Sequence, residues 1–360
     1  MEGREGGGRR IDDLDLNERL HVDIGTSCNN NCLFCMEEDR VGRAQRVGQL
    51  TPDDIVRILN TNVHRREVVF VSGEPTLNPR FISYVRHARR LGYVRVGVIT
   101  NGRRFAYAPF VVDAVKAGLN HVIVSIHGPD ARVHDGLTRT PKSFEQALAA
   151  LGHLSAARRQ GLRLDTSTVL NRRNCKVEIL ERHVEMLLPL VDQMVFNVVQ
   201  PFGRGKTHFD ALVMRYSEVA EELGRFFLGQ GGRSLPIFLV DIPYCTTEGR
   251  GIPDSARGYV ERYCHYEVGG ASGVGGVVSE AVADGGYVAG GAEAKRAAAV
   301  AGAQCGPEGL VAKARDDQES SQKVKMESCR LCVYDGICDG VWANYVERYG
   351  FEEFVPVRRG

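Results

Sequence analysis

The sequence predicts an α/β fold: a partial (β/α)6 barrel of TIM-like type with a small C-terminal extension. Two observations carry that class. Strand-like and helix-like runs alternate through six repeats in about 180 residues, which implies a parallel sheet with crossover helices. The polar and sulfur-bearing residues that stand out fall just after the strand-like runs, at the carboxyl edge where parallel α/β folds place their sites.

In chain order, His21–Gly25 alternates as a strand and is followed by a loop holding three cysteines. Thr51-Pro52-Asp53-Asp54 opens a helix to about Leu59, because Thr caps first-turn amides and Pro suits the first turn. β-branched Glu67–Val71 reads as a strand and ends at Ser72-Gly73-Glu74-Pro75. A helix over Phe81–Leu91 leads to the strand Val94–Ile99, closed by Thr100-Asn101-Gly102. A helix at Phe110–Ala117 and a strand at His121–Ile126 follow. The last two repeats pair the helix Ser143–Arg158 with the strand Leu162–Leu170, and the helix Val177–Leu188 with the strand Met194–Val199. A closed eightfold barrel needs two more repeats than the pattern offers. A dinucleotide-binding sheet needs a GxGxxG after its first strand, and none follows here. Beyond Lys206, Tyr216–Leu228 reads as an amphipathic helix and Pro236–Ile242 as a strand.

Composition divides the chain further. Residues 1–14 form a loose Gly- and charge-rich tail, 15–205 the barrel, and 206–267 a connecting region. Residues 268–322 hold eleven of the 41 glycines between Gly269 and Gly306, and such a stretch buries little apolar area, so it reads as a flexible insertion. Residues 323–360 are compact again.

With 360 residues, 43% hydrophobic and 25% charged, the chain is an ordinary globular enzyme by composition. A formal net charge of +1 gives no electrostatic case for nucleic acid. No apolar run approaches the ~20 residues of a membrane span, and the start lacks the apolar core of an export signal. Ten cysteines in such a chain therefore point to metal ligation in a reducing cytoplasm rather than to disulfides.

Cys28, Cys32 and Cys35 are spaced x3 and x2. Thiolates are soft ligands for iron–sulfur clusters and zinc, but zinc prefers four ligands and shorter paired spacings. Three thiolates leave one iron of a four-iron cube open. Phe34 lies between the last two, placed to pack against a planar group. The run resembles the CxxxCxxC signature of the radical S-adenosylmethionine (AdoMet) family, and the resemblance covers about Leu20–Phe202.

That resemblance implies a [4Fe-4S] cluster whose open iron binds AdoMet. It also implies an electron donor of flavodoxin or ferredoxin type, and a 5′-deoxyadenosyl radical that takes hydrogen from a substrate. Ser72-Gly73-Glu74-Pro75 resembles the family's GGE motif, so Gly73 and Glu74 are expected near the AdoMet ammonium. Asn101, Ser125 and Asn171 are expected at its carboxylate and ribose, with turn capping as the rival role for each. His127 is a candidate polar contact or proton relay, and His134-Asp135 reads as local structure.

Cys329-x2-Cys332-x5-Cys338 resembles part of the SPASM and twitch auxiliary-cluster motif, although Trp342 stands where that motif has its next cysteine. The expected ligands of an auxiliary [4Fe-4S] cluster are Cys329, Cys332 and Cys338 with Cys245 as the fourth. Cys264 competes for that place, and zinc or an open fourth site are the alternatives. Cys175 reads as packing and Cys305 as a bystander. The subgroup implies modification of a peptide or protein. A small-molecule cyclisation like that of molybdopterin-precursor synthesis is the alternative, and a non-catalytic iron–sulfur carrier or zinc scaffold is the reading from a different class.

Overall fold

The computed structural model describes residues 19–36, 49–257, 264–268, 286–288, 310–314 and 322–358. The expected tail at 1–14, and most of the expected insertion at 268–322 with Cys305, lie outside them.

Seven strands run parallel in chain order: β1 (Arg19–Asp23), β2 (Glu67–Val71), β3 (Arg95–Thr100), β4 (His121–Ser125), β5 (Arg163–Leu170), β6 (Gln193–Val198) and β7 (Ile237–Val240). The six expected strands are all present, within a residue or two at most ends, and β7 extends the set to seven. The sequence pattern marks β7 as a strand but not as a seventh repeat, because a long irregular passage separates it from β6. The sheet stays open, since β7 pairs with β6 alone among the described strands. At the other edge, β8 (Cys264–Val268) pairs parallel with β1, and β10 (Leu310–Ala314) pairs antiparallel with β8. A separate three-stranded antiparallel sheet joins β12 (Val341–Trp342), β11 (Lys323–Met326) and β9 (Gly286–Val288).

Helices cover one face of the large sheet: α1 (Pro52–Thr61), α2 (Phe81–Leu91), α3 (Ala108–Ala117), α4 (Ala131–Thr138), α5 (Ser143–Ala157) and α6 (Val177–Leu187). Helix α1 starts as its sequence dictates, with Thr51 and Asp54 in a reciprocal capping box and Pro52 in the first turn. Strand residues of one parity, among them Val22, Phe70, Val98, Val124 and Phe196, enter the apolar core with these helices. The period of two turns the other parity to the barrel interior.

Around the amino ends of the strands that interior is charged. Arg19 lies 3.3 Å and Arg95 3.6 Å from Glu67, and the ring nitrogens of His121 face Glu67 at 3.2 Å and Asp165 at 2.9 Å. Arg163 pairs with Asp165 at 2.8 Å. Burial opposes ionisation of Glu67, but the His121 hydrogen bond and the Arg19 charge overcome it and hold the carboxyl well below the usual range. This network closes the amino end and leaves the carboxyl end for chemistry.

After β6 come the short helices α7 (Arg204–Thr207) and α8 (Phe209–Leu212), the longer α9 (Tyr216–Gly229), and two further short ones, α10 (Tyr244–Thr247) and α11 (Asp254–Arg257). Helix α12 (Ala343–Tyr349) packs through Tyr345 against Tyr216 of α9, ring centroids 4.6 Å apart.

Candidate functional site

The three N-terminal cysteines sit in the loop after β1, half-buried, and none is in a disulfide. The three asparagines between Cys28 and Cys32 are held from two parts of the barrel rim, Asn29 and Asn30 from just past β3 and Asn31 from past β6. Asn101, just past β3, donates from Nδ2 to Asn29 Oδ1 at 2.7 Å and approaches Cys28 Sγ at 3.9 Å. Arg103 donates to the Asn29 carbonyl and to Asn30 Oδ1, and its Nε donates to Gln146 at 2.6 Å. Arg204, just past β6, donates to Asn31 Oδ1, and its backbone amide donates to the Cys35 carbonyl at 2.9 Å. From beneath, the amides of Asn31 and Leu33 donate to the carbonyls of Thr138 and Leu137 at 2.9 Å each. Those carbonyls end α4, a helix that the sequence pattern does not predict.

Two glycines let the backbone come this close. A Cβ on Gly73 would meet the Ser27 carbonyl oxygen at 2.5 Å, and one on Gly203 would meet the Met36 carbonyl oxygen at 2.0 Å. Both residues have positive φ. Ser72 also has a positive φ, of 74°, at the place where the family motif has its first glycine.

The Glu74 carboxylate is buried, with both oxygens hydrogen-bonded within the chain. One oxygen accepts from the Thr76 amide and hydroxyl and from the Thr100 hydroxyl at 2.7 Å, and the other accepts from the Asn101 amide at 2.7 Å. Burial raises its pKa, and these donors work against that rise. These bonds clamp the ends of β2 and β3 together.

Asn171 is likewise turned inward. Its Oδ1 accepts from the Arg173 amide at 3.0 Å and its Nδ2 donates to the Val169 carbonyl at 2.9 Å, so the rival role of turn cap is the one observed. Phe34 is buried and meets the His127 ring edge-on with centroids 4.6 Å apart.

His127 accepts the Val169 amide on Nδ1 at 3.2 Å, which places the proton of the neutral ring on Nε2. Its backbone amide donates to His134 Nδ1 at 3.0 Å. Burial, and then the neighbouring His134 and His183, hold its pKa well below the ordinary histidine value. Burial also lowers His134 and His183, each to about 4.

Ser125 is half-buried at the end of β4 and stands in register with Ser167 of β5. Asn197 of β6 donates to Ser167 Oγ at 2.9 Å. Sequence reasoning misses Ser167 and Asn197. For Asn197, a polar residue within the apolar stretch of β6, that contrast is the signal that could have found it; Ser167 sits in the largely polar β5 and carries no such signal.

The C-terminal cysteines also come together. Cys245 on α10 and Cys329, Cys332 and Cys338 line one cavity with Lys325 and Tyr244. The Cys245 thiol is pushed up to about 12 by burial and then by the other three sulfurs. Cys264 is elsewhere: its backbone pairs with Leu20 at the opposite edge of the large sheet. Trp342 is buried, and Lys323 lies over its ring at 4.7 Å. Among the described residues, no group of three or more His, Cys, Asp or Glu could hold a single metal ion. No described helix is long and apolar enough to cross a membrane.

The described fold is a parallel α/β barrel with a trio of thiols in the loop after its first strand. Residues 22–176 match the family model of the radical SAM superfamily. Among curated proteins, the chain is 27% identical over 186 residues to an AdoMet-dependent heme synthase of Methanosarcina barkeri, covering 51% of each chain. It is 31% identical over 147 residues to a GTP 3′,8-cyclase of Streptomyces coelicolor, covering 40% of this chain and 41% of that one. The chain thus spans about half the length, or less, of these two relatives. Among solved structures, methylornithine synthase is similar at a TM-score of 0.45 and 16% identity, over 68% of this chain and 76% of that one. Coproporphyrinogen III oxidase from Escherichia coli is similar at 0.44 and 17%, over 60% and 54%.

Proposed function

We propose that this chain is a radical AdoMet enzyme with two iron–sulfur groups that modifies a peptide or protein side chain. The observation that carries the reading is the thiol trio pinned to the barrel rim, within a segment that matches the superfamily. Cys28, Cys32 and Cys35 would hold the first cluster, which with AdoMet supplies a radical able to take hydrogen from an unactivated carbon.

The chain's own residues do the positioning. Asn101, Arg103 and Arg204 fix the asparagines of the loop and so set the attitude of the thiols. Gly73 and the Ser72 turn offer backbone at the end of β2, held in place by the Glu74 clamp. Ser125, Ser167 and Asn197 supply hydroxyl and amide groups inside the barrel for the ribose and carboxylate of AdoMet or for substrate. The Phe34–His127 contact backs the loop with a dry apolar wall.

Cys245, Cys329, Cys332 and Cys338 would hold the second group. Thiolates suit an iron–sulfur cluster and zinc alike, and the cluster is the reading that the C-terminal spacing supports. The C-terminal cysteine spacing supports a peptide or protein substrate. The names of the two curated relatives, a heme synthase and a GTP cyclase, favour a second reading in which the substrate is a small molecule.

Anaerobic reconstitution with iron, sulfide and AdoMet, followed by dithionite, tests the core of the proposal through formation of 5′-deoxyadenosine. An iron-loaded, reduced protein that forms none is a carrier rather than an enzyme. Protein that retains zinc instead is a scaffold.

A further inference from the structure

We propose that Lys325 sets the reduction potential of the group held by the C-terminal thiols, an inference that rests on the two-cluster reading above. Lys325 lies on β11 with its side chain only 10% exposed, lining the cavity together with Cys245, Cys329, Cys332 and Cys338. A lysine is rarely buried unless it is paired. Here Nζ donates to the Asp335 carbonyl at 2.6 Å and to Asp335 Oδ1 at 2.9 Å.

The Asp335 carboxylate is itself 34% exposed, so water screens its charge more than it screens the ammonium. Asp335 lines the same cavity, and as the more exposed of the pair it offsets the ammonium only in part. A positive charge lining the same cavity as four thiols favours, by its sign, one more electron on a thiolate-held cluster.

The step concerned is uptake of a single electron from a low-potential donor of the flavodoxin or ferredoxin class. It adds one negative charge to the cavity and makes or breaks no bond. Lys323, two residues earlier on the same strand, is engaged differently, since its Nζ donates to Asp241 at 3.0 Å beside the Trp342 ring. Of the two lysines of β11, Lys325 is the one that lines the thiol cavity.

The test is an EPR-monitored redox titration of the full chain, reconstituted anaerobically, with metal analysis alongside. Lys325→Met should move the midpoint of the second cluster to more negative potential, and Lys325→Arg should leave it near wild type. Asp335→Asn should move it the other way, and it remains informative if Lys325→Met fails to take up iron. An unchanged midpoint in Lys325→Met or Asp335→Asn with both clusters present overturns the role of Lys325 and leaves the two-cluster reading standing. Iron and sulfide content that Cys332→Ala does not lower overturns the two-cluster reading itself.

Discussion

Glu74 accepts the backbone amide of Asn101 at 2.7 Å, so the carboxylate after β2 fixes the residue after β3 that reaches the first cysteine. Glu74→Gln turns an NH2 toward donors at one oxygen position or the other, leaving a buried amide or hydroxyl poorly paired. The expected cost is about 1–3 kcal/mol of folding stability, together with weaker AdoMet binding. Denaturant unfolding and AdoMet titration check both. Lost AdoMet binding at unchanged stability would mean that the carboxylate meets the ligand directly.

Arg103 spans the Asn29 carbonyl, Asn30 and Gln146 with its fork of donors. Lysine cannot reproduce that geometry. Arg103→Lys should leave the fold intact by circular dichroism while lowering iron retained at the N-terminal thiols severalfold. Equal iron content in variant and wild type would show that the loop is shaped without the fork.

His134 and His183 are kept neutral by burial, each with a pKa lowered to about 4 from 6.5. A group with a depressed folded-state pKa that is neutral when folded contributes stability present above the unfolded value. That stability is lost as pH falls through the window from about 6.5 to 4, because the unfolded chain takes up the protons first. Each ring accounts for up to about 3 kcal/mol. Unfolding free energies measured across that window should fall steeply, and His183→Gln should flatten the slope.

The thiols should separate by function. Cys32→Ala should abolish AdoMet cleavage and the N-terminal cluster absorbance together. Cys332→Ala or Cys245→Ala should spare uncoupled 5′-deoxyadenosine formation while stopping substrate turnover. Loss of everything in all three variants would mean that the C-terminal cysteines serve the fold.

Ser72 holds a φ of 74° that glycine adopts at little cost. Ser72→Gly should raise stability by about 1 kcal/mol, read as an increase in melting temperature. A decrease would show that the serine hydroxyl contributes more to the turn than its backbone strain costs.

The barrel is legible in the sequence because six strands and their helices carry strong periodicity and clear punctuation, down to the Thr51 cap. Helix α4 is not: Ala131–Thr138 is short and interrupted by Gly136, so its pattern is weak, and its importance lies in the carbonyls it lends to the cysteine loop. Spacing alone marks the thiol trio, since ligand order is a property of the sequence. The orientation of Glu74 and Asn171 is hidden for the opposite reason. A residue type at a strand end says that a polar group is available, and only the folded chain decides whether that group faces a ligand or its own turn. The meeting of Cys245 with the C-terminal trio is one choice among several in the sequence, and β7 and α10 decide it.

Asp241 follows β7 with both carboxylate oxygens committed, one to Lys323 of the small sheet and one to Gln200 just past β6. The C-terminal unit is therefore stitched into the barrel and does not hang from it as a detachable module. A shortened version ending before β11 would strand a buried carboxylate without its cation, a loss of about 3–5 kcal/mol. Whoever trims this protein to a minimal catalytic piece has to neutralise Asp241 as well, or keep the tail.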